Sequence, residues 1–306
     1  MLDRRLVEDT AARLNSAPGL VEKDWHVTRA IAVLAELDHE GATPAFGGGT
    51  SRSKAWGLIR RFSEDIDFKV TMPPVSRNRA RRQRSAYREH VLAALTAAGF
   101  EPMGEIVKRD ENRFFSAAFQ FPSLFAAGHG LRPHIRVEMS LAPPALPATM
   151  RPIASLIVAA QGRPPEVSAF LAVDPVETAA DKLSALAWRV HARRRGDPND
   201  DPTVIRHLHD LAALKRSLEA NPEFVRLVRA ARLEDEGRGG TSVPANPSAL
   251  FASMFERLAG DPLWAQDYGH FVDAVSFARP EELIGFEAAL AAAREMVALL
   301  AAGGSP

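Results

Sequence analysis

The sequence predicts an α+β protein: a mixed β-sheet flanked by helices, followed by a helical C-terminal domain. Three observations lead there. Short alternating segments rich in β-branched and aromatic residues crowd residues 43–141, helical periodicity takes over from about residue 170, and residues 47–49 are three consecutive glycines between an extended run and a helical one. The sheet domain is expected over 1–165 and the helical domain over 166–306. A chain of 306 residues is long enough for each to bury its own core.

Each element follows from its local pattern. Residues 19–38 space Trp25, Val27, Ile31 and Leu34 for an amphipathic helix. "TPAF" reads as a short strand entering Gly47, Gly48 and Gly49, and a second helix is expected from Thr50 to about Arg61, opened by hydroxyl caps. "EDIDFKV" is a strand, a proline joint stands at 73–74, and a long helix runs to about Ala98. "GEIVKRD", "RFFSAAFQF" and "LRPHIRVEMSL" supply three more strands. Four helical stretches follow, at 174–194, 201–218, 222–233 and 246–301, and the Gly, Pro and charge-rich joints 193–202 and 234–248 read as loops.

Composition narrows the chemistry. With 38 basic and 38 acidic residues the formal net charge is zero, so any contact with a polyanion needs a local patch. The absence of cysteine excludes disulfides, thiolate zinc sites and cysteine nucleophiles. The charged N-terminus lacks a signal-peptide core and no uninterrupted apolar run approaches about 18 residues, so no membrane segment and a cytoplasmic location are expected.

In a strand, residues two apart share a face, so Asp65 and Asp67 stand side by side while Ile66 and Phe68 point into the core. Two adjacent carboxylates call for a cation. Magnesium, or manganese, takes oxygen ligands and leaves positions for substrate phosphates. Just upstream, Gly48 and Gly49 let a phosphate approach backbone N–H groups at a helix start, and Thr50 and Ser51 add hydroxyls. No Walker loop is present, because G-x-x-x-x-G-K-[ST] does not occur here. Alone, a glycine turn or a D-x-D is an ordinary turn or solvated strand; joined at this spacing they describe a nucleoside triphosphate site. Alternation also puts Arg136, Glu138 and Ser140 on one face, where Glu138 either joins the aspartates or pairs with Arg136.

"GGTSRSKAWGLIRRFSEDIDF" resembles the G-G-T-x-L-x-[KR]…R-x-S-x-D-[IL]-D-[FL] block of the AbiEii/AbiGii nucleotidyltransferase toxins of abortive-infection and toxin–antitoxin pairs. "EKDWHV", "ETAADKLSAL" and "RHLHDLAAL" are similar to further helices of that family. The resemblance spans roughly residues 19–220 and implies a nucleotidyltransferase fold. It implies that Gly48, Gly49, Thr50 and Ser51 lie on the nucleotide phosphates, that Asp65 and Asp67 hold magnesium, and that Arg61 and Ser63 brace the pocket. It further implies that Lys182 reaches the triphosphate and that Asp210 completes the catalytic set. Two positions depart from the pattern: Arg52 replaces an apolar residue, and His207 replaces an aspartate. From the residues alone, Lys182 flanks an apolar stripe, where it either contacts a ligand or snorkels, and Arg206 and Asp210, four apart, read as an ion pair.

An acceptor must attack the α-phosphate. Arg77, Arg79, Arg81, Arg82 and Arg84, directly after the D-x-D strand, are either an RNA-binding patch or a solvated helix face, and Arg193, Arg194 and Arg195 form a second cluster. The family resemblance implies transfer of NMP from an NTP to RNA, foremost a tRNA 3′ end, and an antitoxin partner. Transfer to a protein or small molecule, or a catalytically silent nucleotide- or partner-binding module, are the rival readings.

Overall fold

The computed structural model describes residues 2–125, 132–198, 200–218, 221–238 and 243–302. The chain divides into two compact units, Met1–Asp174 and Pro175–Pro306.

In the first unit, helices α1 (Arg4–Arg13) and α2 (Pro18–Glu36) precede strand β1 (Thr43–Gly47), short helix α3 (Gly48–Lys54) and strand β2 (Asp65–Thr71). Helix α4 (Arg77–Ala97) leads to β3 (Glu101–Arg109), β4 (Phe114–Gln120) and β5 (Ile135–Ser140), then β6 (Thr149–Ile153), α5 (Leu156–Ala160) and β7 (Val167–Ala172). The seven strands form one sheet in the order β3-β4-β5-β2-β1-β7-β6. It is mixed, as predicted: β2 runs antiparallel to β1 and parallel to β5, and β1 meets β7 in parallel.

Period-two alternation is strict where it matters. Ile66, Phe68 and Val70 of β2 and Ile135, Val137 and Met139 of β5 are each no more than 2% exposed. Together with Phe46, Phe115 and Phe119 they form the main core, against which α2 sets Val27, Ile31 and Leu34 and α4 sets Tyr87, Val91 and Leu95.

Three expectations change. Strands β6 and β7 were not anticipated, because "TMRPI" contains a proline and is mostly exposed; it survives as an edge strand paired only with β7. Strand β7 belongs to the sheet of the first unit, Met1–Asp174. The second helix begins at Gly48 and ends at Lys54, not at Thr50 and Arg61: Gly57 takes a left-handed φ of +64° and Leu58 N–H turns back to the Arg52 carbonyl at 2.9 Å. Its N-cap is Gly47 without a side-chain cap, and the Thr50 hydroxyl instead donates to the Asp65 carbonyl.

Three consecutive charged residues of α2, Glu22 and Lys23 buried and Asp24 partly so, tie it to three different segments. Glu22 accepts from Ser123 Oγ at 2.8 Å and Phe125 N–H at 3.2 Å. Lys23 pairs with Glu64 and donates to the Arg132 carbonyl at 2.6 Å. Asp24 meets Lys54 at 2.6 Å and accepts from Leu156 N–H at 2.7 Å. Burial pulls the Lys23 pKa down, and the Glu64 carboxylate opposes that pull.

The second unit is helical: α6 (Pro175–Ala192), α7 (Arg206–Leu218), α8 (Glu223–Glu234), α9 (Pro247–Gly260), α10 (Leu263–Val275) and α11 (Phe286–Ala302). Helix α6 buries Ala179, Leu183, Leu186 and Val190, the stripe read from its sequence. Residues 239–242 of the second expected loop, residue 199 of the first and Leu131 of the β5 segment lie outside the described residues.

Candidate active site

Strand β2 carries Asp65 and Asp67 on its half-buried face. In register across β5, Asp65 is opposite Arg136 and Asp67 is opposite Glu138, so Asp67 and Glu138 occupy neighbouring strands about 4.8 Å apart. Glu138 is held by β4 rather than by Arg136: Ser116 donates to Glu138 Oε1 at 3.1 Å.

The glycine turn lies directly on these carboxylates. Gly47, the last residue of β1, pairs with Asp67. Gly48 has φ +67°, and a Cβ there would lie 1.7 Å from Asp67 Oδ2. A Cβ on Gly49 would meet Ser63 Oγ at 2.9 Å and Arg61 Nη2 at 3.0 Å. Close approach and backbone conformation both call for glycine at 48, while at 49 a Cβ would push aside the Ser63 hydroxyl and the Arg61 guanidinium. Arg61, 4% exposed, donates to the Phe62 carbonyl at 2.8 Å. Ser51 is fully buried, its hydroxyl without a hydrogen-bond partner among the described residues. The hydroxyls of Thr50 and Ser51 thus face inward, and what the turn offers a phosphate is chiefly backbone.

The donor set suits magnesium. Asp65, Asp67 and Glu138 are hard oxygen donors on one partly open face. Among the described residues no three Asp, Glu or His side chains close into a preformed metal cage.

One basic residue at this face escaped the sequence reading. Arg132 Nη1 lies 3.0 Å from Asp65 Oδ1, and its Nε lies 3.3 Å from Glu64 Oε1. The Arg132 backbone N–H also donates to Glu64 at 3.2 Å. Lys23 therefore anchors Glu64, Glu64 anchors Arg132, and Arg132 sits on Asp65. The available signal was the run Glu22-Lys23-Asp24, three charges on a helix that otherwise buries apolar residues.

In the second unit, Lys182 of α6 lies 2.6 Å from Asp210 of α7, and Asp210 is completely buried. Arg206 instead donates to Thr203 Oγ1 at 2.7 Å, so the expected Arg206–Asp210 pair gives way to the stronger demand of a buried carboxylate. His209 Nδ1 stands 3.4 Å from Asp210. His207 is buried, neither ring nitrogen has a partner among the described residues, and burial drives its pKa far down, with Lys182 adding to the effect.

The arginines at 77–84 do not adjoin Asp65. Helix α4 starts beyond the far end of β2, and its Arg84 meets Glu111 at the β3–β4 turn, on the Lys69–Ser140 end of the β2–β5 pair. Asp65 opens the opposite end, about 20 Å away along the seven-residue strand. Arg77, Arg79, Arg81 and Arg82 are exposed. Arg193 and Arg195 are committed elsewhere: both reach Asp267 at 2.6 Å and both lie over the Trp264 ring.

A glycine turn packed against a D-x-D strand within a mixed sheet defines the nucleotidyltransferase class. The chain belongs to the AbiEii family: residues 32–292 match the nucleotidyl transferase AbiEii toxin of type IV toxin–antitoxin systems. Among solved structures it is similar to MenT4, a nucleotidyltransferase toxin from Mycobacterium tuberculosis H37Rv, with a TM-score of 0.52 and 21% identity over 100% of both chains. At that identity the likeness speaks to the fold. No curated protein matches the sequence. The chain is thus a nucleotidyltransferase of a toxin family, and the family implies an NTP substrate and an antitoxin. No described helix is long and apolar enough to cross a membrane.

Proposed function

We propose that this protein transfers a nucleoside monophosphate from an NTP to an RNA acceptor, foremost the 3′ end of a tRNA, in the cytoplasm. The observation that carries the proposal is the close approach of Gly48 to Asp67, which joins a phosphate-accepting turn to a carboxylate pair. The acceptor oxygen forms a bond to the α-phosphorus, the bond to the β-phosphate breaks, and pyrophosphate leaves. Asp65, Asp67 and Glu138 would hold Mg²⁺ or Mn²⁺, which supplies charge neutralisation on the triphosphate. The turn at Gly48 and Gly49 orients the phosphates through its N–H groups, braced by Arg61 and Ser63. Glu138, beside Asp67, would accept the acceptor proton. The family pattern supports a part in transfer for Lys182 and Asp210.

The exposed arginines of α4, Arg77, Arg79, Arg81 and Arg82, with Arg84 at their border, would take an RNA backbone. At about 20 Å from Asp65 they suit the body of a folded RNA rather than the reacting nucleotide. The test incubates wild type and Asp67→Ala with magnesium, total tRNA and each α-labelled NTP in turn. Label on RNA with wild type and none with the variant is expected. Label that survives ribonuclease on protein would replace RNA by a protein acceptor, and an undiminished rate in Asp67→Ala would sink the site.

A further inference from the structure

We infer that Arg132 is a built-in counter-cation of the nucleotide site: it neutralises Asp65 in the resting enzyme and passes to the triphosphate when metal and nucleotide arrive together. The inference rests on the proposed NTP site. It starts from a charge balance. Glu64 and Asp65 are successive carboxylates at the start of β2, Asp67 follows on the face of Asp65, and Glu138 stands opposite Asp67 in register. The Arg132 guanidinium lies 3.0 Å from Asp65 Oδ1.

Its mounting is unusual for a surface ion pair. An exposed pair is worth little because both side chains must be ordered. Here that ordering is done in advance. Glu64 binds Arg132 at both its backbone N–H and its guanidinium, and Lys23 binds both Glu64 and the Arg132 carbonyl. Lys23 is itself 4% exposed, so Glu64 is held from within the protein. Arg132, by contrast, keeps a third of its side chain exposed. The base of the device is rigid and its head is accessible.

Two consequences follow from the chemistry of the head group. A guanidinium on Asp65 competes with a free divalent ion for the same carboxylate. It also has the planar donor fork that binds phosphate oxygens in pairs, so a nucleotide entering with its metal gives Arg132 a second anion as the metal takes Asp65. Free metal is thereby disfavoured while metal–nucleotide is favoured. Glu64 keeps the arginine tethered during the exchange, so it need not dissociate from the site.

The experiment measures binding rather than turnover. Mn²⁺ is titrated by electron paramagnetic resonance into wild type, Arg132→Ala and Arg132→Gln, alone and with a non-hydrolysable NTP analogue, and analogue affinity is measured at saturating Mn²⁺. Both variants are expected to bind free Mn²⁺ about tenfold more tightly than wild type and the Mn²⁺–nucleotide about tenfold more weakly, opposite shifts of about 1.4 kcal/mol each. A merely structural arginine would move both affinities in the same direction or neither, and either result overturns the inference. Arg132→Lys should keep the metal competition and recover only part of the nucleotide affinity. Wild type that binds Mn²⁺–nucleotide, with no opposed shift in the variants, overturns the role of Arg132 alone. Wild type that binds neither ligand overturns the nucleotide site and this inference with it.

Discussion

Replacing Gly48 by alanine isolates the contact on which the site depends. The position has φ +67°, where an L side chain adds about 1–2 kcal/mol of strain. The new Cβ would also sit 1.7 Å from Asp67 Oδ2, whereas ordinary contact begins near 3.4 Å, so the carboxylate oxygen must retreat by about 1.7 Å. Pushing Asp67 from its rotamer costs a further ~0.5–1.5 kcal/mol. A misplacement of about 1 Å at a reacting centre lowers rate by about 10²-fold, so Gly48→Ala is expected to lose about 2–3 kcal/mol of stability and at least that factor in transfer. Gly57→Ala is the control: its φ is +64° and nothing lies within 4 Å of its Cβ. It should lose the strain alone, about 1–2 kcal/mol, and transfer at the wild-type rate. Urea unfolding and labelled-nucleotide transfer measure the two quantities separately. If the two variants lose equal stability and transfer equally well, the turn does not press on Asp67 and the reasoning fails.

Three other outcomes follow from buried or exposed charge. Lys182→Met removes the ammonium 2.6 Å from the fully buried Asp210 carboxylate and should cost about 3 kcal/mol in urea unfolding; Lys182→Met with Asp210→Leu should regain most of that. His26, stacked on Phe121 and buried, has its pKa lowered to about 4 by burial, so its neutral form is favoured on folding. That contribution is intact above the unfolded pKa near 6.5 and is lost as pH falls towards 4; between pH 7 and 5 wild type should lose about 2 kcal/mol that His26→Gln does not. Replacing Arg79 and Arg82 by glutamine should weaken RNA binding and flatten its dependence on log salt by about 0.9 for each phosphate contact removed, with nucleotide binding unchanged.

The site divides into parts that the sequence reveals and parts that it conceals, and the division follows the range of the interactions. The same-face placement of Asp65 and Asp67 is a property of any strand, so alternation alone predicts it, and the same rule places Glu138 on the face it takes in β5. The parallel pairing that puts Glu138 opposite Asp67 joins strands about seventy residues apart and has no local signature. Helix α3 was overextended because its stop is set by the left-handed Gly57 and a returning hydrogen bond, not by loss of helical residues.

Buried charge is the harder case, because spacing rewards local partners while burial selects distant ones. Arg206 and Asp210 have the four-residue spacing of an ion pair, yet an aspartate with no solvent needs a partner brought to it by packing, and Lys182 from the preceding helix fills that place. Arg52 obeys the same logic: at a position where an apolar residue is usual it is fully buried, and its guanidinium donates to the Val173 carbonyl at 2.6 Å. The run Glu22-Lys23-Asp24 extends it to the active face. Three consecutive charges on a core helix cannot all face water, so each must meet a complementary group from another segment; they find the turn at 123–125, Glu64 with Arg132, and Lys54 with the start of α5. A charged triplet on a buried helix is therefore a legible sign that three segments converge there, even where the sequence does not say which ones.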